Sequence, residues 1–226
     1  MDAKQVDRPG YSPRFSFIEW RVPLLTGLVL AVVTGIPYLY AYAVQPHDRV
    51  FMGFFYLGDD ANTYLATMRQ GWEGAWSWDN RYTTEPSPTA YLFLFWIALG
   101  HLAALFHLPL IVVFHLARVA AAFALMAAVW AFMNHFIADR SARLFAFFFC
   151  AIGLGMGYVI QALGHPVIFG NTTDTLDWRM PELTAFYSVL ALPHFAWSGV
   201  FAAAGAVLTL KAIQRGSLGL ATLAGL

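Results

Sequence analysis

Charge is what this sequence has least of. Asp, Glu, Lys and Arg together make up 12% of its 226 residues, against roughly a quarter in a soluble domain. That is too few to coat a water-soluble globule of this size. Cysteine is nearly absent too. The single Cys150 excludes an internal disulfide, and its setting in an apolar block reads as a small buried hydrophobe. Net charge is zero, so there is no basic footprint for nucleic acid. Internal repeats and low-complexity tracts are missing as well.

What the chain has instead is apolar residues, 59% of the total, in blocks too long for ordinary core helices. Residues 22–44 and 144–163 carry no charge, and 183–210 carries one ionisable group, His194. A bilayer core takes about 20 apolar residues as helix, so each block can span. The expected fold class is all-α: a polytopic transmembrane helical bundle with a long first non-cytoplasmic loop containing short juxtamembrane helices. Spans are expected near 22–44, 112–136, 144–163 and 183–210, in a single membrane domain over 1–226. Another starts at 218 and stops mid-pattern, so the chain reads as the N-terminal portion of a longer one.

The N-terminal basic stretch (Lys4, Arg8, Arg14, Arg21) and Ala41-Tyr42-Ala43 resemble a signal peptide with its cleavage site. The apolar run exceeds an h-region of about 7–15 residues, so it reads as an uncleaved signal anchor. Basic residues near span ends stay cytoplasmic. The N-terminal cluster, Arg140 with Arg143, and Lys211 with Arg215 all return to that side if only one crossing lies between Pro88 and Asp139. The weaker candidate there is 91–107. It sits at the short limit for a span, contains His101 and precedes Leu108-Pro109. It is therefore expected as a shallow helix that does not cross. Outer loops then cover 45–110 and 164–182.

The acids concentrate in those loops. Asp59 and Asp60 open an expected helix with Ala61, Tyr64, Leu65 and Met68 on one face and Gly71 as its stop. One carboxylate could serve as a helix cap, but a pair exceeds that need. Trp72, Trp76 and Trp78 suit either the bilayer interface or stacking on sugar rings. Arg118 interrupts an apolar span, where a lone arginine costs from about 2.5 kcal/mol upward. It either snorkels outward or meets a lipid phosphate. In the second loop, Asn171-Thr172-Thr173 fits a glycosylation sequon, and Asp174-x-x-Asp177 is a weak metal pattern. Glu182 is expected in the first turn of the fourth span, where an acid also suits the helix dipole.

An apolar first span, Asp60-x-x-x-Tyr64 opening a helix in the first outer loop, then Arg69 and Gly71-x-x-Gly74-x-Trp76, together resemble the GT-C glycosyltransferases. These include protein O-mannosyltransferases, lipid A aminoarabinose transferases and oligosaccharyltransferases. The shallow helix, Arg118 and Glu182 occupy places that those families also fill. The resemblance implies transfer of a sugar from a polyprenyl-phosphate donor in the bilayer. Asp60 would act as general base, with Asp59 and Glu182 as further acids. Arg69, Arg81 or Arg118 would meet the phosphate, and Tyr64 and Trp76 would lie at the substrate. It implies the bacterial inner membrane; the basic residues before the first span put the N-terminus on the cytoplasmic side. Sugar and acceptor stay open, as does a divalent metal; no other cofactor is implied. One departure is plain: many relatives place a second acid directly after the catalytic aspartate, and here that position is Ala61. Pro193-His194 has no counterpart. Two other readings are a non-catalytic protein with a degenerate glycosyltransferase fold, which Ala61 favours, and a transporter subunit, which Arg118 and His194 favour.

Overall fold

A computed structural model describes residues 18–55, 57–153, 157, 159, 162–164, 167, 168, 171, 172 and 180–225. The chain is helical. Three helices have the length and composition to cross a membrane: α1 (Arg21–Val44), α4 (Leu110–Phe136) and α7 (Pro193–Arg215). At 1.5 Å rise per residue each exceeds the roughly 30 Å hydrocarbon core. Leu25, Leu28, Val29, Val32, Ile36 and Leu39 of α1 are exposed, an apolar face that suits lipid rather than water.

Helix α4 is the axis of the bundle, packed against both α1 and α7. Its buried face runs through Ala117, Ala121 and Ala122 to Leu125, Met126 and Trp130. Small residues let helix backbones approach closely. Gly27 of α1 does the same from the other side, since a Cβ there would lie 3.0 Å from the Phe123 backbone.

Between the first two long helices lie α2 (Gly58–Trp72) and α3 (Leu94–Leu105). The apolar run at 91–107 thus yields a helix of 12 residues, about 18 Å long, too short to cross. Gly71 does not stop α2. It lies buried within the helix, where a Cβ would come 2.2 Å from the Ile97 carbonyl oxygen; one on Gly100 would come 2.0 Å from that of Met68. The two glycines permit backbone-to-backbone contact where α2 and α3 cross. The segment after α2 folds back over it. The Gln70 amide accepts from Asp79 N–H at 2.8 Å and donates to the Asp79 carbonyl at 3.0 Å, and Trp78 pairs with Ala90.

Two expected spans differ from the sequence reading. In place of 144–163, the described helix is α5 (Arg140–Ile152), 13 residues long; part of the remaining run lies outside the described residues. The 183–210 block is not one helix. A 3-10 turn (Pro181–Leu183) leads to α6 (Ala185–Ala191), and extended Leu192 separates that from α7. Proline disfavours helical backbone at the residue before it and brings no N–H, so Pro193 ends one helix and starts the next. Lys211 and Arg215 accordingly lie inside α7 rather than beyond it. Helix α8 (Leu218–Gly225) packs back on α7. Val167–Ile168 and Asn171–Thr172 form a minimal antiparallel pair.

Arg143 is not a free topogenic charge. It is buried at the α4–α5 turn, where it pairs with Glu19 at 3.1 Å and lies 5.4 Å from the Trp130 ring centroid. Lys4, Arg8, Arg14, Thr173 of the sequon and the Asp174/Asp177 pair fall outside the described residues.

The α2–α3 crossing yields a test. Gly100→Ala forces a clash with backbone and should destabilise the protein by about 1–3 kcal/mol, the usual cost of overpacking. Gly205→Ala in α7 meets only ordinary contact at 3.8 Å and should leave the unfolding midpoint in detergent unchanged or higher.

Candidate functional site

The acids at the start of α2 do not cap it. The N-cap is Leu57, in left-handed backbone at φ 52, with no side-chain cap bond. Asp59 and Asp60 stand in the first turn, both exposed, where the helix dipole favours negative charge. Ala61, the next residue, is fully buried in an apolar cluster with Trp96, Phe114, Ala117 and Leu192. This docks the N-terminus of α2 on the bundle. A carboxylate at position 61 would be buried unpaired.

One turn on, Tyr64 stacks nearly flat on buried Trp96, with centroids 4.5 Å apart and planes 11° apart. Burial raises the Tyr64 phenol above its ordinary pKa, and the charge of Asp60 raises it further. The other edge of Tyr64 meets the His194 ring at 4.9 Å. Glu182 is exposed on the 3-10 turn. That turn is pinned: Ser188 Oγ donates to the Pro181 carbonyl at 2.9 Å, and Thr184 Oγ1 accepts from Tyr187 N–H at 3.2 Å. Asp60 thus stands one turn before the Tyr64–His194 contact, and Glu182 stands on the separate turn ahead of α6. Glu182 is not in the first turn of a long span, as the sequence reading had it; α7 begins only at Pro193.

A polar layer lies deeper. Arg118 is 3% exposed. Its Nη1 donates to the Thr34 carbonyl at 3.2 Å and to Thr34 Oγ1 at 2.9 Å. The guanidinium lies 4.4 Å from the Tyr38 ring centroid. Among the described residues its Nε has no hydrogen-bond partner, and neither ring nitrogen of His115 has one. Among the described residues no carboxylate pairs with Arg118. It does not snorkel out of the bundle. Tyr38 donates its hydroxyl to the Leu190 carbonyl, and its ring meets Phe55 at 4.9 Å, four residues before Asp59.

The remaining candidates lie at the other end of α2. Arg69 is nine residues beyond Asp60, about 13 Å along the helix and on the opposite face. It pairs with Glu73 at 2.8 Å; Arg81 pairs with Glu73 at 3.5 Å and Asp79 at 3.7 Å. The Arg69 hydrogen bond, with the charges of both arginines, holds the Glu73 carboxyl below its ordinary pKa despite some desolvation. Trp76 is exposed and stacks on His101 at 4.0 Å. Arg69, Arg81 and Trp76 thus form a separate surface. Asp59, Asp60 and Tyr64 share the first two turns of α2, Glu182 lies on the 3-10 turn, and Arg118 is buried in α4. The sequence reading gave no place in the site to His194, Tyr38, Thr34 or His115. An intramembrane histidine was a signal in itself, but its partners are remote in sequence. Among the described residues no group of three or more His, Cys, Asp or Glu side chains could hold a metal ion.

Comparisons with protein-family models, curated proteins and solved structures give no match for this chain.

The burial of position 61 is testable. Ala61→Asp should destabilise the protein by about 3–5 kcal/mol, the cost of an uncompensated buried charge. Asp59→Ala should cost no more than the roughly 0.3–1 kcal/mol of a helix-dipole interaction. Unfolding in detergent micelles measures both.

Proposed function

We propose that the protein is a membrane glycosyltransferase that moves a sugar from a polyprenyl-phosphate donor to a hydroxyl acceptor at the non-cytoplasmic face. The observation that carries the reading is a buried guanidinium, that of Arg118, with no acid partner among the described residues. Exposed carboxylates stand at the start of α2. Such a transfer needs a base for the acceptor and a cation for the departing phosphate.

The chemistry follows from that arrangement. Asp60 takes the proton of the acceptor hydroxyl, which requires the carboxylate within hydrogen-bond reach. The freed oxygen bonds to the anomeric carbon as the bond from that carbon to the phosphate oxygen breaks. Polyprenyl phosphate leaves, and Arg118 meets its charge; guanidinium is suited to phosphate oxygens. Arg69 and Arg81 are engaged with Glu73 and Asp79, so Arg118 is the preferred phosphate ligand. An apolar groove of about 390 Å3 between α1, α5 and α6 is lined by Leu25, Val29, Val33 and Phe148, among others. Its end at Val33 is one residue from Thr34, the hydrogen-bond partner of Arg118. A prenyl chain laid there would bring its phosphate toward the guanidinium. Glu182 serves as second acid, with Asp59 beside Asp60. The acceptor side of the reading places the first loop outside and the N-terminus inside.

Asp60→Asn keeps size and helix compatibility. It should reduce transfer of labelled sugar from polyprenyl-phosphate donors by roughly 10² to 10⁴, the usual worth of general-base catalysis, at an unchanged unfolding midpoint. Normal turnover in this variant ends the assignment. For orientation, Ser87→Cys should react with an impermeant maleimide added to intact cells and Ser141→Cys should not. Labelling of Ser141→Cys from outside would overturn the topology.

A further inference from the structure

Arg21 opens α1 and is exposed. Among the described residues its guanidinium has no hydrogen bond or ion pair; the acid two residues before it, Glu19, is taken by Arg143 at 3.1 Å. Arg21 also lines the end of an apolar groove of about 460 Å3, with Leu24, Leu25 and Leu28 of α1 and Phe123 of α4. An arginine lays its methylenes on such a surface while its charged head reaches toward water. This groove shares only Leu25 with the one beside α5 and α6.

The depth of the groove suits a lipid chain. Arg21 and Leu28 lie about 10 Å apart along the helix, within the roughly 15 Å that one leaflet contributes to the hydrocarbon core. Trp20, partly buried against the core, immediately precedes Arg21, and tryptophan favours the boundary between hydrocarbon and headgroups. An acyl chain in the groove would therefore have its phosphate at the level of the guanidinium.

The charge at this end of the bundle selects among lipids. The Glu19–Arg143 pair ties the start of α1 to the start of α5, so Arg140 stands at the same end. Helix α7 runs beside α4 in the same direction, from the Trp197–Ala117 hydrogen bond past the approach of Gly199 to Leu125, and brings Lys211 and Arg215 there too. The acids of this end among the described residues are Glu19, taken by Arg143, and Asp139, which caps α5. Cations are in excess. A zwitterionic lipid neutralises its phosphate with its own ammonium, whereas an anionic lipid leaves that charge for a basic pocket between helices. A second copy of the chain suits the groove less well, because a two-fold contact there would set one unpaired Arg21 against another.

We propose that the groove between α1 and α4 binds one phospholipid of net negative charge, with an acyl chain along Leu24, Leu28 and Phe123 and the phosphate on Arg21. The site lies at the opposite end of α1 from α2, so it does not depend on the transfer reading.

The test titrates the full chain, delipidated in detergent, with phosphatidylglycerol and phosphatidylcholine and counts bound lipid by native mass spectrometry. One phosphatidylglycerol should be retained with roughly 5-fold preference, the worth of one Lys or Arg at an anionic lipid surface. Arg21→Gln should abolish that preference and Arg21→Lys should keep most of it. Leu28→Trp, which fills the groove, should lower retention of both lipids. Arg140→Gln removes a cation from the same end without touching the groove and should leave the preference unchanged. No preference in the unsubstituted protein, a preference that survives Arg21→Gln, or an equal loss in Arg140→Gln, which marks diffuse charge, overturns the proposal. So does a second copy of the chain in place of the lipid, or full retention by a folded Leu28→Trp. Where Leu28→Trp does not fold, Arg21→Gln and Arg140→Gln decide.

Discussion

The organisation of the candidate site depends on one missing hydrogen bond. In a continuous helix the Leu190 carbonyl would accept from the N–H of residue 194. Leu192 is extended instead, because Pro193 follows it, and that carbonyl is left for another donor. Tyr38 of α1 takes it. This fixes the Tyr38 ring, and the ring carries the Arg118 guanidinium on its face. The same break turns the start of α7 so that His194 meets Tyr64. A straight helix over 183–210 would engage the Leu190 carbonyl itself and leave Tyr38 without that acceptor.

Docking of the first loop adds the second constraint. Ala61 and Met68 of α2 are fully buried, while Asp59 and Asp60 are exposed. The helix is held by small and apolar contacts on one face, so its acids need not take part in folding. At the far end, Gly71 and Gly100 bring the α2 and α3 backbones into contact. The carboxylates therefore stand on an element fixed at both ends, although it lies in a loop.

Much of this was legible in the apolar pattern, and some was not. The first and second long helices lie close to the expected 22–44 and 112–136, because an uninterrupted apolar run longer than a core helix permits little else. The short helix at 94–105 follows from the limited length of its run. The break at Leu192 was missed because periodicity treats proline at a helix start and proline inside a helix alike. Gly71 was misread for a related reason. A glycine needed for close approach looks in sequence like a glycine that ends a helix, until the partner backbone at Ile97 is placed. The Arg69–Glu73 pair has ordinary i,i+4 spacing and was readable, though the resemblance made Arg69, with Arg81 and Arg118, a candidate for the phosphate. The Tyr64–His194 contact joins residues 130 positions apart. No local pattern encodes it.

The arginines show how packing separates chemistry from structure. Arg69 and Arg81 are exposed and paired, where an ion pair is worth little and solvent screens what remains. Arg143 is buried, but Glu19 and the Ile137 carbonyl compensate it. Among the described residues Arg118 has only Thr34 and the face of Tyr38. A cation–π contact is worth from about 0.5 to 2 kcal/mol or more when desolvated, which is of the order of the smaller estimates for a lone arginine in a bilayer. The interactions offset the charge without saturating it, since Nε is still unpaired. A guanidinium that folding alone required would be served equally by a carboxylate in place of Thr34, or replaced by an apolar side chain. The arrangement found here keeps a guanidinium donor that the described residues leave unused.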